Sequence, residues 1–132
     1  MRDGTSVSSA TVTSYRDLRV WQLGVDLAQE IYLLTRSFPK QEVYGLSSQL
    51  QKSAISISSN IAEGHTRESS NEFLHFLSIA QASLSELETQ LEIAARLRYL
   101  PSSKLEDVYG KTSALGRQLY ALRNALRRRS SP

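Results

Sequence analysis

The chain has 132 residues, no cysteine and a formal net charge of +3. This length suits one domain with one hydrophobic core, and the lack of cysteine excludes disulfides and thiolate metal sites. No apolar run approaches the roughly 20 residues of a membrane span, and the first residues lack the apolar block of a signal peptide. We therefore expect a cytoplasmic protein with no membrane partner.

The first predicted helix carries more apolar surface than one seam of a bundle needs. Residues 1–14 are rich in serine and threonine, and we expect them to be disordered. The helix then begins near Ser14 or Asp17 and ends before Phe38 and Pro39. Two adjacent apolar stripes predict contact with another subunit. The alternative is that the N-terminal tail or a neighbouring helix of the same chain covers Trp21 and the second stripe. The residues assigned to this contact are Trp21, Leu23, Leu27 and Ile31.

The second predicted helix begins near Glu42 or Val43 and is capped by Gly64, because glycine adopts the left-handed conformation without penalty. Its apolar residues recur at steps of three and four, which is typical of one buried helix face. Small polar residues cover much of the remaining surface, and we interpret them as contacts that fix helix packing and oligomeric state. These residues are Ser56, Ser59, Asn60 and Glu63. For Asn60 and Glu63, direct binding of a ligand is the alternative.

Two further helices follow, each opened by a serine and a glutamate three residues apart, the spacing of a capping box. Ser69 and Glu72 open the third, which ends near Arg98 to Leu100 with Pro101 as the stop. Ser103 and Glu106 open the fourth. Short loops between four helices predict an all-α, antiparallel up-down-up-down bundle over residues 15–127, with a basic tail at 128–132.

The residues do not assemble into a recognisable catalytic or metal site. Glu72 and His75 have the E-x-x-H spacing of di-iron bundles, which need two such motifs. The only other histidine, His65, has Ala62 and not glutamate three residues before it, so the second motif is missing. A mononuclear site formed by His65, Glu68, Glu72 and His75 is conceivable, although ordinary polar surface is the favoured interpretation. There is no nucleophile elbow and no glycine-rich phosphate loop. We expect no enzymatic activity, no metal and no cofactor.

Positive charge is concentrated at the end of the chain. From Val108 onward there are six basic and no acidic residues, so this end carries a charge of +6 and the rest of the chain carries a net charge of −3. Such a cluster favours binding to the phosphates of a nucleic acid, although arginines at a helix C-terminus also complement the helix dipole. The nearby Tyr109 and Tyr120 are interpreted as candidates for the core. The proposed nucleic-acid-binding residues are Lys111, Arg117, Arg123, Arg127, Arg128 and Arg129.

A spaced pattern over residues 15 to 100 resembles a known family. It comprises Asp17-Leu18, Val20-Trp21-Gln22, Phe38-Pro39, Glu42, Tyr44-Gly45-Leu46, Gln49-Leu50, Ser56, the run from Ser59 to Gly64, Arg67, Glu72-Phe73, Ser83 and Glu86-Leu87-Glu88. The pattern resembles the four-helix-bundle proteins encoded in intervening sequences of bacterial 23S ribosomal RNA genes. A related branch comprises the accessory variability proteins of diversity-generating retroelements.

This resemblance implies a homo-oligomeric ring, with five subunits, that binds nucleic acid or a nucleic-acid enzyme. The basic cluster and this resemblance together lead to two hypotheses. In the first, an oligomeric, non-enzymatic bundle binds RNA or DNA, with RNA preferred, through the basic C-terminal end of the fourth helix. In the second, the bundle is a protein-interaction scaffold or an accessory subunit of an enzyme such as a reverse transcriptase.

Overall fold

The computed structural model describes residues 14–130, and within this range the chain forms four α-helices and no strand. The helices are α1 (Arg19–Thr35), α2 (Leu46–Thr66), α3 (Ser70–Arg96) and α4 (Ser102–Ser130), and short 3₁₀ helices span Tyr15–Asp17 and Lys40–Glu42. Helix α2 packs against α1 and α3, and α4 packs against α3 and α1. This confirms the all-α class and the four predicted helices. The predicted disordered segment lies outside the described residues except for Ser14.

The core is a continuous apolar cluster to which every helix contributes. The stripe predicted on α2 is confirmed, since Leu50, Ala54, Ile57 and Ile61 are fully buried. Burying one leucine or isoleucine contributes about 1.5–3 kcal/mol, so this stripe supplies a large part of the packing energy of α2. The fully buried leucines of the other helices are Leu77, Leu87, Leu91, Leu115 and Leu119.

Helix α1 buries one side within the chain itself. Leu27 and Ile31, which we predicted at a subunit contact, are buried in the core beside Val20. The apolar excess on α1 therefore does not require a second subunit to cover these two residues. Trp21 and Leu23 are half-buried, and Trp21 makes an edge-on ring contact with Tyr15 at 5.3 Å between centroids.

The loop between α1 and α2 meets the loop between α3 and α4. The rings of Phe38 and Tyr99 lie 5.4 Å apart, and the Tyr99 hydroxyl donates to Glu42 Oε2 at 2.8 Å. The other carboxylate oxygen of Glu42 accepts from the Leu46 backbone N–H at 3.0 Å. Regular helix begins at Leu46, later than we predicted, because Glu42 lies in a 3₁₀ helix, and its side chain accepts from the first N–H of α2.

Gly45 has a specific role in this arrangement. A Cβ atom on Gly45 would lie 2.6 Å from Glu42 Oε1, which is far inside contact distance. A side chain at position 45 would therefore displace the Glu42 carboxylate, which can move because it is the end of a flexible side chain, and with it the hydrogen bonds to Leu46 and Tyr99.

Between α2 and α3, the predicted end of α2 is wrong and the predicted start of α3 is confirmed. Gly64 does not cap α2, because the helix continues to Thr66 and Gly64 keeps a negative φ. The predicted cap at the start of α3 is confirmed, since Ser69 Oγ accepts from the Glu72 backbone N–H at 3.1 Å.

A left-handed residue ends α3. Arg98 has a φ of 64°, and the backbone N–H of Arg98 and of Tyr99 donate to Ala95 and Ala94, each at 2.9 Å. These two hydrogen bonds form a Schellman motif in which arginine occupies the position that usually holds glycine.

Helix α4 begins at Ser102, so the capping box predicted from Ser103 is wrong. The carbonyl of Pro101 instead accepts from the backbone N–H of Lys104 and Leu105, at 3.0 and 3.1 Å. The helix continues to Ser130, and Arg128 and Arg129, which we assigned to a tail, lie in its last turn. Among residues 14–130, no helix is long and apolar enough to cross a membrane.

Candidate nucleic-acid interface

The six cations predicted to bind nucleic acid lie on one helix but point in three directions. Successive residues of an α-helix are rotated by about 100°, so Arg117 and Arg128, three turns apart, share one side. Arg123 and Arg127 share a second side. Lys111 points in a third direction, together with Arg129. The arginines therefore surround the C-terminal half of α4, whereas Lys111 lies closer to the start of the helix than all of them.

The arginines differ in exposure. Arg117, Arg127, Arg128 and Arg129 are exposed, whereas Arg123 is half-buried. The Nε atom of Arg123 is buried and has no hydrogen-bond partner within residues 14–130. Arg127 donates to Asn124 Oδ1 at 3.1 Å, which orients its guanidinium along the helix. Four of the five arginines therefore present their charge to solvent.

Lys111 is engaged in ion pairs within the chain. It donates to Glu30 of α1, with 2.8 Å between Nζ and Oε1, and lies 3.7 Å from Asp107 Oδ2. The hydrogen bond to Glu30 raises the pKa of Lys111, while desolvation opposes this effect. Since two carboxylates compensate its charge, Lys111 links α4 to α1 and contributes little positive potential at the surface.

The two tyrosines of α4 have opposite environments. Tyr109 is half-buried, and its hydroxyl contacts Glu92 Oε1 at 3.1 Å and the Glu88 carbonyl at 3.3 Å. Burial, followed by the hydrogen bond to Glu92, raises the pKa of Tyr109. Tyr120 is 61% exposed, so our interpretation of it as a candidate for the core is wrong.

The small polar residues of α2 form hydrogen bonds within the chain. Ser56 Oγ lies 2.8 Å from Ser83 Oγ of α3, and Asn60 Nδ2 donates to the carbonyl and the hydroxyl of Ser56 at 2.7 and 3.0 Å. Glu63 forms an exposed ion pair with Arg67 at 2.9 Å. Ser59 is exposed. Ser56 thus connects α2 to α3 through Ser83, whereas the two hydrogen bonds of the Asn60 side chain stay within α2.

Ser53 is a further small polar residue of α2 that was not among the packing residues assigned from sequence. Ser53 is buried, and its hydroxyl lies 2.9 Å from Gln90 Oε1 and 3.0 Å from Glu86 Oε1 of α3. The available signal was its spacing, since Ser53, Ser56 and Asn60 recur at steps of three and four and therefore share one side of α2.

The two histidines pack against aromatic rings. The His65 ring lies edge-on to Phe73 with 5.6 Å between centroids, and His75 lies similarly against Phe76 at 5.4 Å. Within residues 14–130, no three histidine, aspartate or glutamate side chains are grouped closely enough to hold a metal ion. The nearby Arg67 stacks over Phe76 at 4.8 Å.

The model of the 23S rRNA-intervening sequence protein family matches residues 16–121 of this chain. The chain belongs to this family. The match extends beyond the region of resemblance recognised from sequence, but it ends before Arg123 and the last three arginines. The family match therefore includes Arg117 and Tyr120 and leaves out most of the basic end of α4.

A solved structure supports the same fold. It is a protein of unknown function from the S23 ribosomal protein family of Bacteroides thetaiotaomicron VPI-5482, with a TM-score of 0.73 and 24% sequence identity. The alignment covers 80% of this chain and 95% of that chain, and at this identity it shows the fold alone. No curated protein matches this chain.

Proposed function

We propose that this family member is a non-enzymatic, oligomeric bundle that binds RNA through the C-terminal half of α4. The observation that carries the proposal is the group of exposed arginines in this half of the helix, Arg117, Arg127, Arg128 and Arg129. No acidic residue follows Asp107 in the sequence. Each cation that neutralises a phosphate releases counterions and adds affinity that does not depend on sequence. The name of the family contains 23S rRNA, and RNA is therefore the polyanion that we propose.

We further infer that the four helices run up-down-up-down. Contacts between consecutive helices support this order, because positions late in one helix meet positions early in the next. Thr35, at the end of α1, accepts from Gln51 near the start of α2, and Gly64, near the end of α2, lies against Phe73 and Phe76 early in α3. In this arrangement the arginine-rich half of α4 lies at the end of the bundle that holds the loop between α2 and α3.

We also propose that the bundle forms a homo-oligomeric ring, which the family resemblance implies to be a pentamer. Exposed apolar side chains on α1 and α2 support a subunit contact, since Val25, Tyr32 and Ile55 are 38%, 44% and 42% exposed. A ring would repeat the basic surface in every subunit and increase avidity for a long RNA. Light scattering that shows a monomer at micromolar concentration would contradict the ring.

The RNA-binding proposal is tested with matched charge variants. In the first variant, Arg117, Arg127, Arg128 and Arg129 are replaced by glutamine. In the control, four exposed cations outside the arginine-rich half of α4 are replaced by glutamine, so the net charge falls equally. The control residues are Arg36, Lys40, Lys52 and Lys104.

Binding of a labelled RNA is measured by fluorescence anisotropy at several salt concentrations. The wild-type affinity should fall steeply with salt. The α4 variant should lose affinity, and its salt slope should decrease by about one unit for each phosphate that is no longer neutralised. The control should bind nearly as the wild type does. If both variants lose RNA affinity equally, binding depends only on the net charge of the protein, and the proposed site is refuted.

A second candidate function is a scaffold for a protein partner, such as a reverse transcriptase. It is favoured by Tyr44 and Val43 in the loop before α2, which are 97% and 54% exposed. These two side chains are adjacent in sequence, and contiguous exposed apolar surface is the feature that marks sites of protein–protein interaction. Copurification of such an enzyme, abolished in Tyr44→Ala and Val43→Ser and retained in the α4 arginine variant, would support this function over RNA binding.

A further inference from the structure

Tyr120 lies among the arginines of α4. Residues three and four positions apart are neighbours on a helix surface, so the Tyr120 ring has Arg117 and Arg123 on either side and Asn124 beside it. Arg127 lies two turns further along the same side of the helix. The ring is 61% exposed, and no hydrogen bond, ring contact or cation-π contact involves it within the described residues.

The contrast with Tyr109 indicates that Tyr120 is not there for packing. Tyr109 lies three turns earlier, on the same side of α4, and is half-buried with its hydroxyl in contact with Glu88 and Glu92 of α3. Tyr120 leaves most of a large aromatic ring in water, where it gains little from burial. A tyrosine in this environment contributes a flat apolar face at the centre of a basic surface.

We propose that Tyr120 stacks against an unpaired base, and that the surface formed by Tyr120, Arg117 and Arg127 therefore binds single-stranded RNA in preference to duplex RNA. This inference rests on the RNA-binding function proposed above. Proteins that bind single strands combine a basic surface, which follows the phosphates, with aromatic side chains on which bases stack. Arg117 and Arg127 are about 15 Å apart along the helix axis, with Tyr120 between them.

Duplex RNA does not offer the same contact. Its base faces are already covered by neighbouring base pairs, and the deep, narrow major groove of A-form RNA does not admit the side chains of a helix. Against a duplex, α4 contributes only its phosphate contacts. Tyr120 therefore contributes base-stacking energy only when a single strand is bound.

The test compares a labelled oligouridylate with a duplex RNA of the same length, by anisotropy at one salt concentration. Tyr120→Ala should weaken binding of the single strand about tenfold and leave binding of the duplex unchanged. Tyr120→Phe should bind the single strand as the wild type does, because the ring and not the hydroxyl stacks. Tyr44→Ala is the matched control, since Tyr44 is more exposed but lies in the loop before α2, and it should not change binding.

The outcomes separate this inference from the proposed function. If Tyr120→Ala binds both RNAs as the wild type does, or weakens both equally, the stacking role is refuted. If the four-arginine variant still loses RNA binding in that case, the proposed function stands without it. If the four-arginine variant also binds normally, the proposed function itself fails. Circular dichroism of each variant verifies that the helical content is unchanged.

Discussion

Gly64 of α2 lies so close to Phe76 of α3 that a Cβ atom placed on it would come within 2.6 Å of the Phe76 Cβ. The same atom would lie 3.0 Å from Phe73 Cδ1. Gly64 is buried, and there is no space for even a methyl group at this crossing. The absence of a side chain therefore sets how closely α2 and α3 approach near their shared loop.

Replacing Gly64 by alanine should lower the free energy of unfolding by about 1–3 kcal/mol, because an extra methyl group overfills a packed site. This loss should exceed the gain in helix propensity of up to about 1 kcal/mol. Gly110 in α4 is the matched control, since a Cβ atom there meets nothing within 4 Å, and Gly110→Ala should raise stability. Urea unfolding at one protein concentration measures both, and a stabilising Gly64→Ala would contradict the close crossing.

Glu42 should make stability depend on pH in the acidic range. The Leu46 backbone N–H, followed by the Tyr99 hydroxyl, lowers the pKa of Glu42. Because the folded pKa lies below the unfolded one, this stabilisation is complete above the ordinary value of about 4.3 and is lost as the pH falls through the folded pKa.

The measurement compares thermal unfolding of wild type and Glu42→Gln from neutral to acid pH. The wild type should be more stable at neutral pH, and the difference should shrink as the pH falls. Asp26→Asn on the exposed side of α1 serves as the control and should follow the wild type. A difference that is constant with pH would show that the carboxylate charge is not involved.

Asn60 should act on stability and not on RNA binding. Its side chain donates twice to Ser56, so Asn60→Ala should lower the free energy of unfolding by about 1 kcal/mol. Ser59→Ala, at an exposed neighbouring position, should change it by less than about 0.5 kcal/mol. Loss of RNA affinity in a folded Asn60→Ala protein would support the alternative, that Asn60 binds the ligand.

Arg98 should limit the stability of the turn after α3. A non-glycine residue in the left-handed conformation costs roughly 1–2 kcal/mol, and Arg98 has a φ of 64°. Arg98→Gly should therefore raise the free energy of unfolding by about 1 kcal/mol. Arg98→Ala keeps the Cβ atom and should show no such gain, so equal stabilisation by both variants would exclude the backbone explanation.

Features of the fold that depend on local sequence were predictable. The cap at Ser69 and the buried stripe of α2 follow from residues three and four positions apart, and both are present in the structure. The start of α2 was not predictable in the same way, because Glu42 is held by Tyr99, which is 57 residues later in the sequence. No local pattern indicates such a contact.

The candidate site shows the same division. The run of cations in α4 is evident from sequence, but Tyr109 and Tyr120 are separated by three full turns and so occupy equivalent helix positions. Periodicity cannot distinguish them. Only the contacts of Tyr109 with Glu88 and Glu92 of α3 and the exposure of Tyr120 separate a packed tyrosine from a candidate binding residue.

The hydroxyl contact between Ser56 and Ser83 has a consequence for how this family can change. With 2.8 Å between the two oxygens, neither position can accept a larger side chain unless the other becomes smaller or the helices separate. Loss of one hydroxyl also leaves its partner without that hydrogen bond. We therefore expect these two positions to covary among relatives, with exchanges such as serine to alanine at one site accompanied by a compensating substitution at the other.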